Sequence, residues 1–135
     1  MTEKHVGKVI QVMGAVLDIR FQEGELRSLL NAISIQLGDT ELIAEVAQQL
    51  GDDVVRCIAM SSTDGLVRGM EAVDTGNPIT VPVGEPCLGR IFNILGNPVD
   101  EKPAPETEER WAIHRPAPSF EEQTPATEIL ETGIK

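Results

Sequence analysis

The side chains that could do acid–base or nucleophilic chemistry are few and stand far apart along the chain. His5 lies near the start and His114 lies in a proline-flanked segment, and neither stands beside a nucleophile in the sequence. An active site needs several such groups assembled together, so both histidines are predicted to be solvated or structurally hydrogen-bonded. Cys57 and Cys87 are too widely spaced to suggest a disulfide framework or a zinc site. The apolar run around Cys57 favours a buried, reduced thiol.

Glycine-rich segments could bind phosphate and acidic segments could bind cations, but the residue spacing here matches neither kind of binding loop. Gly65 and Gly69 form the closest glycine pair, which lacks the lysine and hydroxyl residues that phosphate and magnesium binding require. This pair is predicted to be a turn leading into a strand. The acidic runs 106–109 and 121–122 lack the alternating ligands and the bend glycine of hard-cation loops. They are interpreted as solvated faces.

Composition narrows the class of protein. The 135 residues carry a formal net charge of −11, and aromatic residues make up only 3%. A barrel that binds nucleic acid needs clustered basic residues to neutralise the phosphates and aromatic residues on a strand face to stack with the bases. The charge and the low aromatic content therefore disfavour such a barrel. No apolar run reaches membrane-spanning length, and no signal peptide precedes the first strand-like segment. We expect a soluble protein of a reducing compartment, with a core built from Val, Ile and Leu.

Short apolar or alternating runs separated by turn residues fill the first part of the chain. The predicted strands cover 6–12, 15–21, 32–37, 40–46, 54–60 and 79–83. Gly38-Asp39 is typical of a hairpin turn, and Pro82 places the last strand at an edge or at its own end. Because closure removes unpaired edges, residues 1–80 are predicted to form a small six-stranded antiparallel β-barrel. The fold class is therefore predicted to be all-β.

The pattern of residue types changes in residues 81–135, which are predicted to be a separate and incomplete unit. Leu88, Ile91, Phe92 and Leu95 follow a helical stripe that Gly96 would end. Residues 100–122 are rich in Pro and Glu and are expected to wrap along a larger body rather than fold alone. Residues 127–135 resemble the first turns of a helix with an uncovered apolar face, so we expect the biological protein to continue.

Several stretches, taken in order, resemble the beta subunits of F-type ATP synthases. The resemblance covers essentially the whole chain, and the alpha, vacuolar-type and flagellar export relatives fit these segments less well. The matching segments are Gly7–Ile19, Val55–Met70, Val81–Gly84, Leu88–Asp100, Ile113–Arg115, Pro118–Glu122 and Glu128–Lys135.

This resemblance implies a fold and a function for the parent protein. In the family, an N-terminal six-stranded barrel precedes a nucleotide-binding domain and a helical domain, and alpha and beta barrels alternate in a hexameric ring around a central gamma stalk. The beta subunit makes ATP from ADP and phosphate, driven by a proton gradient, and uses Mg²⁺. The resemblance implies that residues 81–135 are the truncated start of the α/β nucleotide-binding domain, whose phosphate loop and catalytic groups would lie beyond Lys135. No catalytic, cofactor-binding or metal residue is therefore assigned within residues 1–135.

Two expectations concern what residues 1–135 do by themselves and where they reside. They are expected neither to hydrolyse ATP nor to bind it tightly, and the alternative function is a non-catalytic barrel for assembly or binding. Residues from about Asp100 onward are expected to be loosely held. The direct start at Met1 favours a bacterial protein, peripheral on the cytoplasmic face of the inner membrane, or a plastid-encoded thylakoid protein. Membrane contact is expected only through the assembled complex.

Overall fold

Six of the eight strands in the described residues close into a single barrel. The computed structural model describes residues 5–23 and 27–134. The barrel is antiparallel, with the strand order β1-β2-β5-β4-β3-β6, and β7 and β8 form a separate two-stranded sheet. This confirms the predicted all-β class and the six-stranded barrel, while the boundary at residue 80 stays a prediction. The strands are β1 His5–Met13, β2 Val16–Arg20, β3 Asn31–Leu37, β4 Thr40–Gly51, β5 Val54–Ala59, β6 Glu71–Pro78, β7 Thr80–Pro82 and β8 Arg110–Ala112.

The identity of the sixth barrel strand was predicted wrongly. The sequence favoured 79–83, but β6 closes the barrel between β1 and β3, and β7 pairs with β8 outside it. The inward positions of β6 are occupied by Ala72 and Asp74, both buried. A small residue and a carboxylate do not produce the apolar alternation that marks a half-buried strand, which is why the pattern pointed to the next segment.

The barrel interior is aliphatic, as the composition predicted. Phe21 is the only aromatic side chain in the core cluster of the described residues. Cys57 is fully buried among the aliphatic side chains, and burial raises the pKa of its thiol to about 12. It is therefore a neutral packing group, in agreement with the prediction. The largest fully buried side chains are Leu17, Ile19, Ile33, Ile35, Leu42, Val9, Val46 and Cys57.

At Gly7, β1 approaches β2 too closely to leave room for a side chain. A Cβ added there would lie 2.8 Å from the Arg20 carbonyl oxygen and 2.9 Å from Phe21 Cδ1. Both distances are shorter than ordinary van der Waals contact, so only glycine fits without displacement of β2. The register of β1 against β2 then shifts between Val9 and Gln11, and such a bulge bends a strand and increases its twist. These two features let β1 curve around the barrel.

The helix predicted at residues 88–95 is absent from the structure. A short 3₁₀ turn, Glu85–Cys87, is followed by turns and by one isolated bridge between Phe92 and Pro98. Gly89 has a φ of 67°, which is incompatible with a continuing right-handed helix.

Arg90 and Asp100 form a bidentate ion pair, with Nε–Oδ2 at 2.6 Å and Nη2–Oδ1 at 3.0 Å. That pair holds the pKa of Asp100 well below its usual range.

The helix predicted to start at Thr127 is also wrong for the described residues. Residues 127–134 contain no helical turn, and Gly133 has a φ of 70°; Lys135 lies outside the described part. The side chains of Ile129 and Ile134 are about nine-tenths exposed. A helix this short needs burial of its apolar face to offset the cost of nucleation, and nothing covers that face. Within the described residues, no helix is long and apolar enough to cross a membrane.

Candidate interaction surfaces of the barrel

One apolar row runs across the outer wall where β1, β2 and β5 meet. Met13 is the register partner of Val16, and Val16 is the register partner of Ile58. Met13 and Ile58 are 44% and 45% exposed, and Val16 is half-buried. Aligned neighbours of this kind contact one another along the sheet face. We call Met13, Val16 and Ile58 the β2–β5 stripe.

A second row of residues, apolar except for Ser34, crosses β1, β6, β3 and β4. Val6 pairs in register with Val73, which pairs with Ser34, which pairs with Ile43. Val6 is 39% exposed, while Val73 and Ile43 are half-buried. In the closed order of strands, β3 and β6 are separated from β2 and β5 by β1 on one side and β4 on the other. The central residues of the second row, Val73 and Ser34, therefore lie across the barrel from Val16 and Ile58. We call Val6, Val73, Ser34 and Ile43 the β3–β6 stripe.

A polar row borders the β2–β5 stripe and fixes its two central strands. Arg56 donates to Asp18 through Nε at 2.8 Å and through Nη2 at 2.9 Å. The Asp18 side chain is almost fully buried, whereas that of Arg56 is partly exposed. The hydrogen bonds from Arg56 hold the pKa of Asp18 below its usual range. Bidentate pairs of this kind add geometric specificity to strand register.

This pair predicts a component of stability that is lost in acid. Because the pKa of Asp18 is lower in the folded state than in the unfolded state, its stabilisation is fully present above the unfolded pKa of about 4. It is lost as the pH falls through the folded value. Urea unfolding measured from pH 6 down to pH 2 should therefore show a smaller acid-induced loss for Asp18→Asn than for the unmodified chain. An equal loss in both proteins would contradict this assignment.

A buried polar cluster closes one end of the barrel. Asp74 accepts hydrogen bonds from Asn31 Nδ2 at 3.1 Å and from the Gly76 amide at 2.8 Å, and it pairs with Arg27 Nη1 at 3.3 Å. The Arg27 guanidinium also lies over the Phe21 ring, 5.1 Å from its centroid. The spacing of these residues along the chain does not predict this cluster. Its members come from three separate segments that only the closed barrel brings together.

The two histidines occupy structural positions. His114 Nε2 lies 2.8 Å from Glu45 Oε2, which confirms the prediction of a structural hydrogen bond for this residue. His5 belongs to β1 and is the register partner of Asp74 in β6. The two histidines therefore lie in different parts of the chain, one beside the Glu45 carboxylate and the other opposite Asp74 in the strand register.

The glycine pair and the acidic runs also have clear positions. Gly65 and Gly69 have φ values of 85° and 93° and bound the turn that leads into β6, as predicted. Residues 106–109 line a groove of about 600 Å³ beside Glu85 and Trp111. Within the described ranges 5–23 and 27–134, no group of three or more His, Cys, Asp or Glu side chains could hold a metal ion.

The barrel matches a known family. Residues 9–76 match the family model described as the beta-barrel domain of the ATP synthase alpha/beta family. This range covers half of the chain and runs from within β1 to within β6, and so spans the closed barrel. The resemblance seen in the sequence segments therefore agrees with both the match and the fold. The chain belongs to the ATP synthase alpha/beta family.

Proposed function

We propose that this chain is the N-terminal part of a catalytic beta subunit of F-type ATP synthase and that its barrel holds the alternating alpha–beta hexamer together. The observation that carries the proposal is the pair of apolar stripes on opposite walls of the barrel. A subunit inside a closed ring of unlike neighbours contacts one on each side through two different surfaces. In this proposal the β2–β5 stripe makes one of these contacts and the β3–β6 stripe makes the other.

The choice of beta over alpha comes from the sequence segments quoted above. In this proposal ATP, ADP and Mg²⁺ bind to the nucleotide domain of the full-length subunit, which also contacts the gamma stalk. The complex is peripheral on the cytoplasmic face of a bacterial inner membrane, with a thylakoid as the alternative. Residues 1–135 contain no phosphate-loop motif, so they should not turn over ATP. Magnesium-dependent hydrolysis stoichiometric with the pure chain would contradict this part of the proposal.

Assembly can be tested by mixing the chain with an alpha subunit and following sedimentation velocity. The unmodified chain should form a larger species at high concentration. Ile58→Asp in the β2–β5 stripe and Val73→Asp in the β3–β6 stripe should each weaken association at least tenfold, because a carboxylate would be buried in an apolar contact. A double variant that carries both substitutions should not associate.

Val67→Asp is the matched control. Val67 is 57% exposed in the turn before β6 and belongs to neither stripe, so its replacement should leave association unchanged. Circular dichroism should show that all variants retain the barrel. The assembly proposal fails if the unmodified chain does not associate, or if Val67→Asp weakens association as much as the stripe variants do.

A further inference from the structure

The β7–β8 sheet leaves the barrel without a flexible connection. β7 begins at Thr80, two residues after the end of β6, and the intervening Ile79 is buried. The register pairs Thr80 with Ala112 and Pro82 with Arg110. The Ile113 amide then donates to the Ile79 carbonyl at 3.0 Å. The start of β7 and the end of β8 are therefore both held at the barrel wall.

A side-chain contact adds a second attachment to the barrel. His114, directly after β8, reaches Glu45 in the middle of β4, with Nε2 and Oε2 2.8 Å apart. Glu45 is itself the register partner of Ala32 on one side and Ile58 on the other, so its position on the outer wall is fixed by two neighbouring strands. Its side chain is only 14% exposed. We call the His114–Glu45 contact the clasp.

The β7–β8 sheet is also braced internally. Arg110 Nη2 donates to the Thr80 carbonyl at 2.9 Å and Arg110 Nε donates to the Thr80 hydroxyl at 3.2 Å. The Arg115 guanidinium lies over the Trp111 ring, 3.6 Å from its centroid. A cation over an indole face is attracted by the ring quadrupole. These contacts join β7, β8 and Arg115 into one packed unit, which the clasp connects to β4.

The hydrogen bonds beyond Arg115 are local ones. Ser119 donates to Glu122 through both its amide and its hydroxyl, and Gln123 Nε2 donates to the Pro118 carbonyl. These hydrogen bonds stay within a few residues of each other. The Phe120 side chain is 91% exposed. In the part of the chain that the structure describes, the hydrogen bonds from β8 and its flanking residues to distant parts of the chain thus end at His114, and Arg115 joins this unit through its contact with Trp111.

We propose that the clasp fixes the β7–β8 sheet to the barrel, so that the rigid unit extends through Arg115 and the hinge to the following segment lies at Pro116–Pro118. This inference goes beyond the assembly role and does not depend on it. Few long-range contacts and high exposure characterise the parts of a protein that open at low free energy. A partner that holds the barrel would thereby also set the orientation of β7 and β8.

The chain's single tryptophan, Trp111, reports on this coupling. Time-resolved fluorescence anisotropy of the full chain should show Trp111 rotating with the barrel. Glu45→Ala and His114→Ala should each add a fast component to the anisotropy decay. Because exposed pairs contribute modestly, hydrogen exchange of the Ile113 amide should become about two- to fivefold faster, with the protection of β1 to β6 unchanged.

Three further variants separate the clasp from a general loss of stability. Glu71→Ala removes an exposed glutamate at the far end of β6, where it pairs in register with Lys8, and should leave Trp111 and Ile113 unaffected. His114→Gln, whose amide can donate to the same carboxylate, should restore part of the protection. The double variant Glu45→Ala with His114→Ala should match either single variant. Unchanged anisotropy and exchange in both single variants, or equal loss of protection throughout the barrel, would overturn the proposal.

Discussion

Replacing Asp74 with alanine is expected to lower the free energy of unfolding by about 3–5 kcal/mol, the range for removing one partner of a buried charge pair. Asp74 is 7% exposed and Arg27 is 6% exposed. The substitution removes the carboxylate that Arg27, Asn31 and the Gly76 amide all contact. Those donors would remain buried without an acceptor, and leaving buried donors unpaired is the main free-energy cost of breaking a buried hydrogen-bond network. Urea unfolding followed by circular dichroism measures the change.

Asp64→Ala is the matched control for this prediction. Asp64 is exposed and accepts a hydrogen bond from the neighbouring Ser62 hydroxyl at 2.7 Å. Its loss should change stability by no more than about 0.5 kcal/mol, as is usual for a surface site. Asp74→Asn, which keeps an acceptor oxygen but removes the charge, should fall between the two. If Asp74→Ala were no more destabilising than Asp64→Ala, the cluster would not stabilise the end of the barrel.

The sequence predicted the strands whose side chains alternate clearly between core and solvent. β2 and β5 lie within a residue or two of their predicted bounds because their apolar residues define the inner face. β4 runs to Gly51, beyond the predicted end at Val46, because Gln48 and Gln49 interrupt the pattern. Its pairing with β5 passes through two register shifts in that region. Irregular pairing is a property of the sheet that a single strand's pattern does not show.

The two helix predictions failed for a shared reason. Apolar spacing in a short window describes a face that could be buried, and burial depends on whether the fold supplies a surface. Leu88 and Ile91 remain 78% and 63% exposed, and Gly89 adopts a left-handed conformation. The resulting turns are held instead by the Arg90–Asp100 pair. A periodic pattern alone does not distinguish these outcomes.

The interaction surfaces could not be located from the sequence because they are products of register. Met13, Val16 and Ile58 come from three strands, and they align only because β2 pairs with β5 and β1 shifts its register near Val9. Along the chain, Ile58 is one more apolar residue in the run that contains Cys57. Only the closed barrel shows that Cys57 points into the core while Ile58 stays on the outside.

The burial of one isoleucine and the exposure of another predict losses of stability of very different size when each is truncated. Ile33 is fully buried, whereas Ile58 is 45% exposed. Ile33→Ala should lower the free energy of unfolding by about 2–5 kcal/mol, because it removes buried methylenes and leaves a cavity that the strands cannot collapse around. Ile58→Ala should cost less than about 1 kcal/mol, since most of the lost surface was already in contact with water. Chemical denaturation of the two variants measures the difference.

The comparison also determines how the assembly experiment is to be interpreted. If Ile58→Ala unfolded as easily as Ile33→Ala, Ile58 would be part of the core, and weaker association of Ile58→Asp would report only damage to the barrel. If Ile58→Ala keeps its stability, weaker association of Ile58→Asp can be assigned to a lost contact between subunits. Exposed apolar side chains that lie next to one another on a strand face are typical of an interaction surface. A stable Ile58→Ala barrel that associates more weakly is therefore the expected result.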